Sequence, residues 1–125
     1  MTDMTDHEIR ALAEKRLEWA VALRRRLHRV PEPGNQEFET QRIITETLDE
    51  LGIEYTTENT WVVGLIRGAH PGETVAFRAD IDALPVEEPE DCPFRSTHPG
   101  MMHACGHDAH MAILLGAAAI LSGMK

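Results

Sequence analysis

The stretch Thr74-Val75-Ala76-Phe77-Arg78-Ala79-Asp80-Ile81-Asp82 has the pattern of a buried β-strand that ends in charged residues. Two earlier stretches, 53–57 and 61–67, are also typical of short strands, so three strands are predicted. In open α/β sheets, ligands bind at the carboxyl ends of the strands. This arrangement predicts a binding site near Asp80, although an ion pair between Arg78 and a neighbouring acid at the rim of the sheet explains the same residues equally well.

Helical patterns lie on both sides of these strands. Thr5 and Glu8 have the spacing of a capping box, which predicts a first helix that ends at Val30, before a proline. A second helix is predicted over 37–51, followed by Gly52 at its C′ position. Four residues are expected on its buried face: Phe38, Ile44, Leu48 and Leu51.

The C-terminal half continues with an irregular segment and a third helix. Residues 81–99 contain four prolines, and a long loop of this kind is usually functional. An apolar helix is predicted over 109–121. The order α-α-β-β-β-loop-α predicts an α/β fold, in which residues 1–125 form part of one domain with an incomplete mixed sheet flanked by helices.

The chain has 125 residues and a net charge of −9, with 21 acidic and 12 basic residues. Such an acidic surface disfavours binding to nucleic acid or to anionic membranes. The basic cluster Arg24, Arg25, Arg26, His28 and Arg29 is interpreted as a solvated helix face. The N-terminus has no signal-peptide pattern, and the apolar run 111–121 is too short to span a bilayer, so a cytoplasmic protein is expected.

The densest group of chemically active residues is Met102-His103-Ala104-Cys105-Gly106-His107-Asp108-Ala109-His110. Cys105 and His107 can converge if they lie in a turn that enters the third helix, and Gly106 permits that turn. A thiolate and an imidazole together suit zinc or a similar divalent ion. Asp108 is expected as the N-cap of the helix.

Other candidate residues have weaker patterns. His103 and His110 are predicted to orient a ligand, to contact substrate or to be structural. The Glu87-Glu88 pair lies between prolines and is assigned to a loop or to the edge of a substrate site. Cys92 is interpreted as incidental, and three further histidines are assigned to the surface: His7, His70 and His98. Serine-hydrolase, P-loop, dinucleotide-binding and zinc-deaminase motifs are absent from the sequence.

Three segments of the sequence resemble the M20 metallopeptidase family, in the branch of hippurate hydrolases, N-acetyl-diaminopimelate deacetylases and auxin-conjugate hydrolases. They are Leu23–Glu32, Phe77–Pro85 and Met102–Ala112, in the family's order, and the resemblance extends from about residue 17 to residue 121. It implies a zinc-peptidase-like catalytic domain and a metal-dependent amidohydrolase that cleaves the amide bond of N-acyl amino acids.

The resemblance also implies roles for individual residues. Cys105 and His107 match two ligands of a dinuclear site, and Asp80 matches an active-site aspartate whose partner histidine in the family is here Arg78. The implied cofactors are two divalent ions, with zinc or manganese expected first and nickel or cobalt also compatible. Three further residues are predicted to support the metal ligands or to contact the substrate: Asp108, His103 and His110.

In the family, the catalytic glutamate, three further ligands and a lid and dimerisation domain come from later segments. The chain is therefore expected to be an N-terminal piece with little activity alone, and a homodimer is expected only with the lid domain. Two alternatives stay open at this point: a non-catalytic module that binds a metal ion or a partner, and a non-functional remnant.

Overall fold

The first helix forms where the capping box predicts it. A computed structural model describes residues 3–124, and α1 spans Asp6–His28. Thr5 Oγ1 accepts a hydrogen bond from the Glu8 backbone N–H at 3.2 Å, and the Glu8 carboxylate accepts one from the Thr5 N–H at 2.7 Å. This exchange satisfies two of the N–H groups that a helix N-terminus leaves free.

The second helix, α2, spans Phe38–Glu50 and has an unusual cap. Its N-cap residue makes no side-chain hydrogen bond with the helix. Instead, the buried carboxylate of Glu32 accepts hydrogen bonds from the backbone N–H groups of Glu39 (3.0 Å) and Thr40 (2.7 Å). After the helix, Gly52 has the predicted left-handed conformation, with φ of +68°.

Two strands follow α2 and pair with each other. Strand β1, Glu54–Glu58, runs antiparallel to β2, Trp61–Leu65, and Asn59 with φ of +51° makes the tight turn between them. The predicted α/β class is confirmed, because the described residues form three helices and a two-stranded sheet. Phe38 was expected on the buried face of α2, but its side chain is 60% exposed.

The predicted third strand does not form among the described residues. Residues 71–83 lie outside any helix or strand, and Val75 and Phe77 are 74% and 69% exposed. A groove of about 720 Å³ separates this segment from β2 and α3. A strand requires a hydrogen-bonded neighbour, and no strand within residues 3–124 lies beside this segment, so its apolar pattern has no partner to pair with.

The third helix, α3, spans His107–Met124 and packs along α1. Among residues 3–124, it is the one helix that is both long enough and apolar enough to cross a membrane. Its inner face, however, contributes to the core. The segment between β2 and α3 is irregular, as predicted for 81–99, with a single bridge between Leu84 and Met102. The core contains Leu23, Leu27, Ile43, Ile44, Leu48, Ile53, Met111 and Leu115.

Candidate metal centre

The turn before α3 presents Cys105 and His107 on either side of Gly106. Gly106 has a φ of +106°, a conformation that L-residues rarely adopt. Helix α3 begins at His107, so Asp108 lies inside the first turn and is not the N-cap that the sequence predicted. Cys105 is exposed and forms no disulfide, which leaves its thiol accessible.

His107 is held in one orientation by Asp82. The Nδ1 atom of His107 lies 2.9 Å from the Asp82 carbonyl oxygen and 2.9 Å from its carboxylate oxygen Oδ1. Because both oxygens accept hydrogen bonds, Nδ1 is the protonated nitrogen, and the lone pair of neutral His107 is on Nε2. Histidines that bind metals are commonly held in this way through their second nitrogen.

Asp80 lies next to the free nitrogen of His107. The distance from Asp80 Oδ2 to His107 Nε2 is 4.0 Å, and the Asp80 side chain is 47% exposed. Arg78 donates two hydrogen bonds to Asp80 Oδ1, at 3.0 and 2.8 Å, and these bonds hold the pKa of Asp80 below its usual value. The ring of His110 is 6.0 Å from that of His107, on the same side of α3.

His103 does not join this group. Its side chain is buried, neither ring nitrogen has a hydrogen-bond partner, and its ring lies 6.4 Å from that of His28. Burial lowers the pKa of His103 to about 4, so the ring is neutral at pH 7. The structure therefore brings together Arg78, Asp80, His107 and His110, with Cys105 on the same turn, whereas His103 lies in the interior.

A second polar group surrounds His28. This histidine is 2% exposed, so the interpretation of its cluster as a solvated face was wrong at this residue. Its Nδ1 is 2.7 Å from Asp108 Oδ2, and its Nε2 is 2.5 Å from Glu88 Oε1. The Nε atom of Arg24 is also 2.7 Å from Asp108 Oδ2.

The two carboxyl groups of this network stay ionised. Burial raises their pKa, but the hydrogen bonds with His28 outweigh this effect, together with the Arg24 charge beside Asp108 and the Ser96 N–H beside Glu88. The net result is that the pKa of each group is lowered. Glu88 lies in a loop, as the sequence indicated, but its side chain is buried against His28 and is not at the edge of a substrate site, while Glu87 is exposed.

Comparison with known proteins places this arrangement in a family. The model for peptidase family M20/M25/M40 matches residues 76–125, which include both the Arg78-Asp80 segment and the Cys105-His107 turn. A crystal structure of a dinuclear metal-binding peptidase of the M20 family from Bacillus subtilis superimposes with a TM-score of 0.83 at 39% identity, over 93% of this chain and 32% of that one. The chain is thus similar to peptidases of the M20 family.

Two curated relatives share this similarity. Thermostable carboxypeptidase 1 of Saccharolobus solfataricus is 50% identical over 107 residues, which are 83% of this chain and 27% of the relative. The N-acetyldiaminopimelate deacetylase of Anoxybacillus flavithermus is 52% identical over 99 residues, which are 77% of this chain and 26% of the relative. The chain thus spans about a quarter of the length of these relatives.

Proposed function

We propose that this chain contributes metal ligands to the active site of a metal-dependent amidohydrolase that cleaves N-acyl amino acids. The observation that carries the proposal is the orientation of His107, whose Nδ1 is fixed by Asp82 so that Nε2 faces Asp80. Support also comes from two relatives described as a carboxypeptidase and an N-acetyldiaminopimelate deacetylase, both of which are named for hydrolysis of an amide bond.

The donor atoms are of types that bind divalent metal ions. Cys105 offers an accessible sulfur, His107 an oriented imidazole and Asp80 an ionised carboxylate, and this mixture suits zinc and related ions. The structural relative from Bacillus subtilis is described as dinuclear, so we propose two divalent ions here as well. When bound, such ions supply a metal-activated water and polarise the amide carbonyl.

The chain's own residues have distinct parts in this proposal. Cys105, His107 and Asp80 would hold the ions, Asp82 fixes the orientation of the His107 ring, and Arg78 keeps Asp80 ionised. His110, whose ring lies 6.0 Å from that of His107, would contact the carboxylate of an acyl-amino-acid substrate. Glu88 is excluded as a general base, because its carboxylate is buried against His28. With so few ligands, we expect this chain alone to bind metal weakly and to hydrolyse substrate slowly.

Metal binding by the chain itself tests the ligand assignment. Equilibrium dialysis with Zn²⁺ should show that Cys105→Ser and His107→Ala each weaken binding by at least about tenfold, because each removes a donor atom. Asp82→Ala should weaken it less, since it removes only the carboxylate and leaves the carbonyl contact. Unchanged binding in both Cys105→Ser and His107→Ala would remove the proposed centre.

The substrate class needs a separate experiment. A chimera in which this sequence replaces the matching segment of the Saccharolobus solfataricus carboxypeptidase should hydrolyse N-acyl amino acids, and Asp80→Asn in the chimera should lower kcat. Activity on peptides but not on N-acyl amino acids would contradict the proposed substrate class but would still support a hydrolase. The cytoplasmic location and the absence of nucleic-acid and membrane partners are proposals from composition.

A further inference from the structure

Three potential ligand atoms lie close together between α1 and the irregular segment. A ring nitrogen of His28, a carboxylate oxygen of Glu88 and the Cys92 sulfur all lie within 4.8 Å of one another. His28 and Glu88 are buried, and Cys92 is partly exposed and forms no disulfide. No candidate ligand lies near Cys92 in the sequence, because His28 on α1, which it approaches in the structure, is distant in the chain.

His28 is prepared for metal binding in the same way as His107. The Asp108 carboxylate accepts a hydrogen bond from His28 Nδ1 at 2.7 Å, so the second nitrogen, Nε2, faces Glu88 and Cys92. Asp108 is fully buried and also paired with Arg24, which fixes its position and therefore that of the ring. A carboxylate that holds one ring nitrogen while the other binds a metal is a recurrent arrangement in zinc proteins.

Glu88 is anchored on its other oxygen. Its Oε2 accepts a hydrogen bond from the Ser96 N–H at 2.5 Å, which leaves Oε1 directed at His28. Arg95 also donates to the Glu88 carbonyl oxygen, at 3.0 Å, so the backbone is held as well. Two of the three donor atoms are therefore fixed by contacts that a bound ion would not disturb.

We propose that His28, Glu88 and Cys92 form a zinc site, separate from the Cys105–His107 centre and independent of the proposed hydrolase activity. The ion replaces the proton between His28 and Glu88 and the thiol proton of Cys92, and water completes a tetrahedron. Ligand atoms of tetrahedral zinc are about 3.5 Å apart. His28 Nε2 and Glu88 Oε1, now 2.5 Å apart, must therefore separate by about 1 Å to admit the ion, and the Cys92 sulfur, within 4.8 Å of both, must approach by up to about 1 Å.

The chain contains two cysteines, and this makes the two centres separable. Co²⁺ bound by a thiolate absorbs in the near ultraviolet through sulfur-to-metal charge transfer. Titration of the full chain with Co²⁺ under reducing conditions should give this absorption in Cys105→Ser, from the Cys92 site alone. The double variant Cys92→Ser/Cys105→Ser should lose it.

Glu88→Gln in the Cys105→Ser background provides a second test. The amide can still accept a hydrogen bond from His28, but it is a poor zinc ligand, so Co²⁺ affinity should fall at least tenfold. Circular dichroism in the presence of a chelator checks that the fold is retained. If this variant does not fold, the comparison between Cys92→Ser and Cys105→Ser decides alone.

The outcomes for the two centres are distinguishable. If Cys105→Ser abolishes all thiolate–Co²⁺ absorption and Cys92→Ser changes none of it, the His28 site is overturned and the Cys105 centre stands. If Cys92→Ser abolishes it and Cys105→Ser does not, the His28 site stands and the Cys105 assignment fails. Absence of the absorption in the unaltered chain overturns both.

Discussion

The cap that Glu32 provides for α2 yields a quantitative prediction. Removing its carboxylate in Glu32→Ala leaves two backbone N–H groups at the start of the helix without an acceptor. The Thr40 hydroxyl, which donates to Glu32 at 2.6 Å, keeps only a long contact of 3.5 Å with the Val30 carbonyl oxygen. Thr40 is fully buried, so water does not replace the lost acceptor there. The variant should therefore be destabilised well beyond a usual surface substitution.

The magnitude follows from these contacts. Each lost cap interaction with an N–H group contributes about 1 kcal/mol, and the lost hydroxyl bond contributes about 1 kcal/mol, so the free energy of unfolding should fall by about 3 kcal/mol. Glu32→Gln keeps one carbonyl acceptor and should lose about 1 kcal/mol. With an m-value of about 2 kcal/mol/M, the urea midpoint of Glu32→Ala should fall by about 1.5 M.

Urea unfolding followed by circular dichroism measures these shifts, and Glu39→Ala is the matched control. Glu39 lies in the same turn, but its carboxylate is half-exposed and paired with His98 at 2.9 Å, so its loss should reduce stability by less than about 1 kcal/mol. If Glu32→Ala unfolds at the same urea concentration as Glu39→Ala, Glu32 does not cap α2 and this reasoning is wrong.

Three further predictions concern the start of α3. Asp108→Asn leaves the buried His28 imidazole and the partly exposed Arg24 guanidinium without their shared anion, so urea unfolding should show a loss of about 3–5 kcal/mol; a loss under 1 kcal/mol would contradict the network. Gly106→Ala should lower the stability by about 1–3 kcal/mol through backbone strain alone, because no atom lies within 4 Å of the added methyl group. Gly116→Ala, inside the helix, should instead raise the stability by about 0.5–1 kcal/mol. Equal effects of the two substitutions in thermal melts would refute the strain at Gly106. The pKa of His103 is lowered from 6.5 to about 4 on folding, so the unfolded state binds its proton first, and stability present above pH 6.5 should decline by up to about 3 kcal/mol as the pH falls to 4. Urea unfolding in a chelating buffer should show this decline, and His103→Gln should abolish it.

The sequence predicts the local parts of the fold well. The capping box at Thr5 and Glu8, the end of α2 at Gly52 and the two strands of the hairpin all depend on residues within a few positions of one another. Such signals are read from spacing alone. The strand predicted at 74–78 differs, because a strand exists only with a neighbour to bond, and the pattern of one segment does not supply that neighbour.

In the candidate site, too, the sequence predicts groups of neighbouring residues but not contacts between residues that are distant in the chain. The Cys105-Gly106-His107 turn was recognised because its donors are adjacent in sequence, and its role as a metal ligand stays a prediction. The contacts of His28 with Glu88 and Asp108 were missed, because those residues are 60 and 80 positions away. The one available signal was a histidine at an otherwise apolar interface, next to the buried Leu27, and helical periodicity alone does not identify its partners.

These distances also have a consequence for the order in which the protein is made. A ribosome adds about 5–20 residues per second, so the 80 residues from His28 to Asp108 take roughly 4–16 s to synthesise. Until Glu88 is added, 60 residues after His28, the histidine has neither of its carboxylate partners. The imidazole of His28 therefore has no anionic partner in the early nascent chain, and Asp108 in the first turn of α3 is the later of the two carboxylates to be made.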